Sequence, residues 1–113
     1  MKKMYSVIEN IGWSVTEIKT DNKKTGLELS KFSPAGEDYN FYIEFDGTKE
    51  NLNEEINEYY ENFDVDEHVE MWIEAKKNGV SGVPNSIRQL LEDAEAIEEM
   101  IEKLSYVVEN EIK

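Results

Sequence analysis

The sequence predicts an α+β fold in which helices cover one face of a small antiparallel sheet. Three observations support it: one segment alternates apolar and polar residues, the later segments repeat apolar residues at helical spacing, and turn residues separate them. The 113 residues match the usual size of one domain and can bury one core. We therefore expect a single domain over residues 1–113, with a helix plus β-meander in 1–47 and an acidic helical part in 48–113.

The first 38 residues predict a short N-terminal helix followed by two strands. Apolar residues recur at helical spacing in residues 3–11. Residues 13–21 are rich in β-branched side chains and indicate a strand, and residues 27–33 indicate a second one. The segments 22–26 and 34–38 contain Gly, Asn, Asp or Pro and predict the turns that join the strands.

The third strand has the clearest pattern in the chain. From residue 39 to 46, apolar and mostly polar side chains alternate, so one face of the strand is apolar. Short turns favour an antiparallel meander, and the helices that follow are expected to cover its apolar face. The apolar positions of this strand are Tyr39, Phe41, Ile43 and Phe45.

Three helices are predicted after the sheet, the last being the longest. Thr48 and Asp64 are candidate N-caps for the first two, and the Ser86-x-x-Gln89 pattern resembles a capping box that opens the third. Lys76, Lys77 and Gly79 predict the end of the second helix, and residues 80–84 predict a linker.

The last helix carries an apolar stripe with heptad spacing. Two interpretations follow: the stripe packs inside the domain, or it forms the seam of a homodimer, as in an oligomerising assembly or regulatory module. Leu91, Met100, Tyr106 and Val107 widen the stripe, which favours packing inside the domain. The stripe consists of Ile87, Leu90, Ala94, Ile97, Ile101, Leu104 and Val108.

These patterns together predict the residues that form the hydrophobic core. They are Ile8, Trp13, Leu29, Tyr39, Phe41, Ile43, Phe45, Leu52, Ile56, Phe63, Val69, Trp72, Ile73, Ile87, Leu90, Leu91, Ile97, Ile101 and Leu104.

Acidic residues are concentrated in the helical part. Residues 48–113 hold 18 Asp and Glu against 6 Lys and Arg, and the whole chain has a formal charge of −14. Such a surface repels phosphate and anionic lipid and attracts basic surfaces, so we expect no direct nucleic-acid or membrane binding. Without cysteine, a leader or an apolar run that could cross a membrane, the sequence predicts a cytoplasmic protein.

A row of glutamates along the last helix is the candidate partner-binding site. Glu92, Glu95, Glu99 and Glu102 recur every three or four residues and share one side of the helix, and Glu109 extends the row. Successive carboxylates among the first four advance roughly 4.5–6 Å along the axis, against about 3.4 Å for the phosphates of one DNA strand. The row predicts contact with a basic protein, such as a nucleic-acid enzyme inhibited by DNA mimicry. Solubility alone is the other interpretation.

No motif predicts catalysis, a cofactor or a metal. His68 is the only histidine, and Asp64, Asp66 and Glu67 beside it do not complete a zinc or calcium pattern. We expect a surface histidine next to a helix cap. The carboxylates have no nucleophile beside them and the glycines form no phosphate loop, so the sequence predicts a protein that is not an enzyme.

Two segments resemble proteins of known context. FSPAGEDYNFYIEF (32–45) and DEHVEMWIEAKKNGVSGVPNSIRQLLEDAEAIEEM (66–100) are similar to small acidic uncharacterised proteins of gut bacteria and mobile genetic elements. The resemblance carries no established activity. It implies a mobile-element setting, in which anti-restriction and other counter-defence proteins are often acidic DNA mimics.

Overall fold

The computed structural model of the protein describes residues 1–77 and 87–113 and has the expected α+β architecture. A short helix precedes a three-stranded sheet, and three helices follow, the last of which is the longest. The elements are α1 (Lys2–Asn10), β1 (Ser14–Lys19), β2 (Thr25–Phe32), β3 (Asp38–Phe45), α2 (Lys49–Asn62), α3 (Val65–Lys77) and α4 (Ile87–Glu111).

The sheet is the predicted antiparallel meander, with strand order β1-β2-β3. Leu27 pairs with Ile43 and Leu29 with Phe41, so these four side chains point to the same face, which the helices cover. The turn between β2 and β3 contains Gly36 at a φ of 91°, as its sequence predicts.

Gly26 lies inside β2 rather than in the preceding turn. It pairs with Ile18 on one side and Glu44 on the other. A Cβ at this position would lie 2.5 Å from Oη of Tyr42 and 2.8 Å from the carbonyl oxygen of Ile18. Glycine is therefore required by the close approach of its neighbours, and no turn conformation is involved.

Helix α4 runs through the centre of the hydrophobic core. Its heptad residues Ile97, Ile101, Leu104 and Val108 are fully buried against the sheet and against side chains of α1 and α2. Closer to its start, Leu90 and Ala94 pack against α3. The described side chains of the heptad stripe thus form an internal face, as its width predicts.

Most of the predicted core is confirmed, with one clear error and three partial ones. Leu91 is 39% exposed, because the inward position is taken by Leu90 and the next residue on a helix points about 100° away. Phe63, Trp72 and Ile73 are half-buried, and the side chain of Ile87 lies outside the described residues. The buried apolar residues that the predicted core omits are Met4, Leu27, Ala94, Met100 and Val108.

Two of the predicted helix caps are present. The hydroxyl of Thr48 accepts from the Asn51 amide at 3.1 Å, which caps α2. The Asp64 carboxylate accepts from the amides of Asp66 and Glu67 at 2.9 and 3.2 Å at the start of α3. The predicted cap at Ser86, the linker over 80–84 and the stop at Gly79 lie outside the described residues. Within the described ranges, no helix is both long and apolar enough to cross a bilayer.

Candidate functional site

The four predicted partner-binding glutamates lie on the solvent side of α4. Glu92, Glu95, Glu99 and Glu102 are all exposed, as is Glu109 further along the same side. The opposite side of the helix is buried, because the heptad residues pack against the sheet and the other helices. The structure therefore brings the predicted residues together in one surface row.

The members of the row are not equivalent. Glu92 forms an i,i+4 ion pair with Arg88, in which Oε1 of Glu92 lies 3.3 Å from Nε of Arg88. Glu102 accepts a hydrogen bond from the Tyr60 hydroxyl of α2 at 2.6 Å. Within the described part of the chain, Glu95, Glu99 and Glu109 form no ion pair with a base, so they are the least compensated carboxylates of the row.

Asp93 does not belong to this surface, although its sequence position suggests that it flanks the row. It is only 5% exposed, and its carboxylate accepts from the Ala35 amide in the β2–β3 turn at 3.4 Å. On a helix, residue 93 lies next to the inward positions 90, 94 and 97, so it is turned toward the sheet. A spacing count alone does not distinguish this carboxylate from its exposed neighbours.

Helix α2 lies beside α4 and adds a second set of carboxylates. Tyr60 contacts Glu102, and Asn57 hydrogen-bonds to Ser105, so the two helices run antiparallel. We call the combined exposed glutamates the acidic face: Glu54, Glu58 and Glu61 of α2, with Glu92, Glu95, Glu99, Glu102 and Glu109 of α4.

The charge of these two helices is poorly balanced. Helix α2 has five acids and one base, and α4 has eight acids and two bases. The field affects Tyr60, whose pKa is raised first by its hydrogen bond to Glu102, then by burial, and further by the charges of Glu102 and Glu98. Lys103 and the exposed ring of Tyr106 also lie on the solvent side of α4.

A second group of polar residues surrounds His68, where the sequence predicts only a surface histidine. That prediction is wrong, since His68 is 8% exposed. Its Nε2 lies 3.1 and 3.2 Å from the two carboxylate oxygens of Glu37, which lies in the β2–β3 turn. Trp72, one helical turn after His68, donates from its indole Nε1 to Oε1 of Glu37 at 2.7 Å.

The Glu37 carboxylate is the shared acceptor of this group. Carboxylate oxygens accept hydrogen bonds, so Nε2 of His68 is assigned as the donor in its contacts with Glu37 at 3.1 and 3.2 Å. The indole proton of Trp72 then belongs to Glu37 at 2.7 Å rather than to Nε2 at 3.1 Å. We call these three residues the Glu37 cluster. It ties the β2–β3 turn to α3.

Two tyrosines extend the polar group toward α2. The hydroxyls of Tyr39 in β3 and Tyr59 in α2 are hydrogen-bonded to each other. Burial is the largest cause that raises the pKa of Tyr39, followed by the hydrogen bond and the charges of Tyr59 and Glu37. Burial also raises the pKa of Tyr59. Both phenols therefore remain neutral hydrogen-bonding groups at neutral pH.

These residues line a cleft of about 610 Å³ between the start of β3, the end of α2 and α3. Aromatic side chains line its walls, together with the carboxylates of Glu37, Asp38, Asp64 and Glu67. Local sequence reasoning misses this site, because Glu37 is 31 residues from His68 and 35 from Trp72 along the chain. The available signal is the i,i+4 spacing of His68 and Trp72, which places both on one side of α3.

Across residues 1–77 and 87–113, no three His, Asp or Glu side chains are placed to hold a metal ion together. His68 is held by Glu37, but among the described residues that line the cleft with it there is no serine, threonine or lysine. Nothing in this lining therefore supports a nucleophile with an activating base.

Comparisons with protein-family models, curated proteins and solved structures find no match to this chain.

Proposed function

We propose that this protein is a non-enzymatic interaction protein that presents the acidic face to a basic surface of a partner. Eight exposed glutamates lie on two neighbouring helices, and this observation carries the proposal. The bases within α2 and α4 are Lys49, Arg88 and Lys103 alone. A dense surface of one sign attracts a surface of opposite sign and accelerates encounter with it.

In its most specific form, the proposed partner is a nucleic-acid enzyme and the protein is a DNA-mimic inhibitor. Between Glu92 and Glu109 the row on α4 advances about 25 Å at ~1.5 Å per residue. One strand of DNA places about seven phosphates over that length at ~3.4 Å each. The α2 glutamates provide a second set beside the first, as a duplex provides a second strand.

The resemblance to small acidic proteins of mobile genetic elements supports the same proposal. In that setting an inhibitor of restriction or another defence enzyme benefits its carrier. This support is an association, whereas the exposed carboxylates provide a physical means of occupying a DNA-binding groove.

The proposal is tested by capture and displacement. The protein is immobilised and exposed at low salt to an extract of the cells that carry its gene, and bound proteins are eluted with either NaCl or short duplex DNA. A DNA mimic must release its partner in both NaCl and duplex DNA, since DNA competes for the same groove and salt screens the contacts. Elution with DNA is the decisive arm, because any anionic surface is sensitive to salt.

A pair of charge-matched variants locates the contact. The change Glu92→Gln, Glu95→Gln, Glu99→Gln and Glu102→Gln removes four charges from the acidic face. The control Asp21→Asn, Glu28→Gln, Glu70→Gln and Glu74→Gln removes four from exposed positions elsewhere. The first variant should lose the partner and the control should keep it. Equal binding by wild type and the first variant, or a partner that DNA does not displace, would refute the mimic.

A further inference from the structure

The cleft beside the Glu37 cluster has the composition of a cation-binding site. Glu37, Asp38, Asp64 and Glu67 contribute four carboxylates to its lining, and none of the lining residues that the structure describes is Lys or Arg. An anionic ligand would meet like charges on several sides. The amides at the start of α3 do not offset this, because the Asp64 carboxylate already accepts from two of them.

Four aromatic side chains line the cleft. They are Tyr39, Tyr59, Phe63 and Trp72, and the rings of Tyr39 and Phe63 are perpendicular with 6.2 Å between their centroids. Aromatic faces attract cations, and the planar guanidinium stacks on them more readily than a compact ammonium does. Carboxylates next to such faces suit the paired N–H donors of the same group.

The Glu37 carboxylate is held in place at this site. Trp72 and His68 fix both of its oxygens, and the side chain of Glu37 is 9% exposed. Because an ionised carboxylate has about four acceptor positions, these two partners leave acceptor capacity for a further donor. A ligand therefore meets an oriented acceptor that does not have to lose rotamer freedom on binding.

We infer that this cleft binds a guanidinium group, presented as an arginine side chain of the basic partner. The source of the cation rests on the proposed function, whereas the choice of guanidinium rests on the cleft itself. The cleft and the acidic face are both built on the C-terminal half of α2, where Tyr59 lines the cleft and Tyr60 reaches Glu102. One basic partner can therefore contact both.

The indole N–H signals of the two tryptophans provide the readout. Trp72 lines the cleft, whereas Trp13 is buried beside Phe41. Trp13→Phe assigns the two cross-peaks in a ¹⁵N–¹H spectrum. The probe is the peptide acetyl-Gly-Gly-Arg-Gly-Gly-amide, and two further peptides carry citrulline or lysine in place of arginine. The arginine peptide should shift the Trp72 signal saturably and leave that of Trp13 unchanged.

Charge variants on the rim of the cleft test the carboxylates without disturbing the core. The double change Asp38→Asn and Glu67→Gln removes two exposed charges from the lining of the cleft. It should raise the Kd for the arginine peptide about fivefold. The matched control, Glu70→Gln with Glu74→Gln, removes two exposed charges from α3 outside this lining and should leave the affinity unchanged.

The outcomes separate this inference from the proposed function. An equal response to the citrulline peptide would overturn cation binding, and an equal response to the lysine peptide would overturn the choice of guanidinium. Full affinity of the Asp38 and Glu67 variant would overturn the role of the cleft. The variant with Gln at positions 92, 95, 99 and 102 should bind the arginine peptide with wild-type affinity, and this result supports the inference. If the same variant still captures the partner, the proposed function fails while the inference about the cleft stands.

Discussion

The indole nitrogen of Trp72 donates to a carboxylate oxygen of Glu37 at 2.7 Å and thereby joins α3 to the β2–β3 turn. His68 adds a second contact to the same carboxylate from one turn earlier in the helix. Helix α3 packs mainly on α4, and this connection, with the ring contact between His68 and Tyr39, joins α3 to the sheet edge beside the cleft.

Replacing Glu37 by alanine should destabilise the protein. The change leaves the buried ring of His68 and the indole N–H of Trp72 without their shared acceptor, which costs about 2–4 kcal/mol in the free energy of unfolding. Urea denaturation followed by circular dichroism measures the difference. Asp38→Asn, at the exposed neighbouring position, is the control and should stay within about 0.5 kcal/mol of wild type. A Glu37→Ala variant as stable as this control would show that the contact does not stabilise the fold.

Stability should fall above pH 10 in a way that depends on Tyr39. Unfolded Tyr39 ionises near its ordinary pKa of 10.0, whereas in the fold burial and its hydrogen bond to Tyr59 raise the pKa. As pH rises past 10, the unfolded chain releases this proton first. The stabilisation from this group is therefore complete below pH 10 and is lost progressively above it.

Urea denaturation at a series of pH values from 8 to 11 tests this. Tyr39→Phe should lower stability at neutral pH, because Tyr59 loses its partner, and should make the decline above pH 10 shallower. Tyr106→Phe at an exposed position is the control and should retain the wild-type pH profile. Identical pH slopes for all three proteins would assign the decline to other groups.

Raising the salt concentration should stabilise this protein. With a formal charge of −14 and glutamates at i,i+3 and i,i+4 spacing on α4, the folded state carries repulsion that salt screens. A few like-charge pairs amount to about 1 kcal/mol, or roughly 4 °C in Tm for a domain of this size.

Thermal unfolding in 0.02 M and 0.3 M NaCl provides the comparison. The gain in Tm should be smaller in the variant with Gln at positions 92, 95, 99 and 102, since its row no longer repels itself. If that variant gains as much as wild type, the repulsion on α4 does not limit stability. This outcome would leave partner binding by the acidic face untouched.

The sequence predicts the fold well because its signals are local. Alternation in residues 39–45 and the heptad stripe of the last helix each determine which side of an element is buried, and both are confirmed. The exposed row from Glu92 to Glu102 follows from the same periodicity. The error at Leu91, like the burial of Asp93, arises because apolar or acidic character alone does not place a residue near the boundary of a helix face.

The Glu37 cluster could not be predicted in the same way. Glu37 sits in a turn, His68 and Trp72 sit on a helix, and only the tertiary packing of α3 brings them together. A buried histidine and a surface histidine look alike in the sequence, since the difference depends on a partner distant in the chain. Gly26 is a similar case, because its need for glycine comes from the Ile18 carbonyl on β1 and the Tyr42 side chain on β3.

A charged residue at position 101 should unfold the protein rather than separate a dimer. Ile101 of α4 is fully buried against the sheet and the neighbouring helices. The ammonium of Ile101→Lys would therefore be buried without a partner. That costs about 4 kcal/mol or more, much of the stability of a domain this size. Leu91→Lys is the control, because Leu91 is exposed on the same helix and should tolerate the charge. Circular dichroism with light scattering distinguishes the cases: Ile101→Lys should lose helical signal, whereas a folded Ile101→Lys monomer derived from a dimeric wild type would restore the oligomerising module as the function of this face.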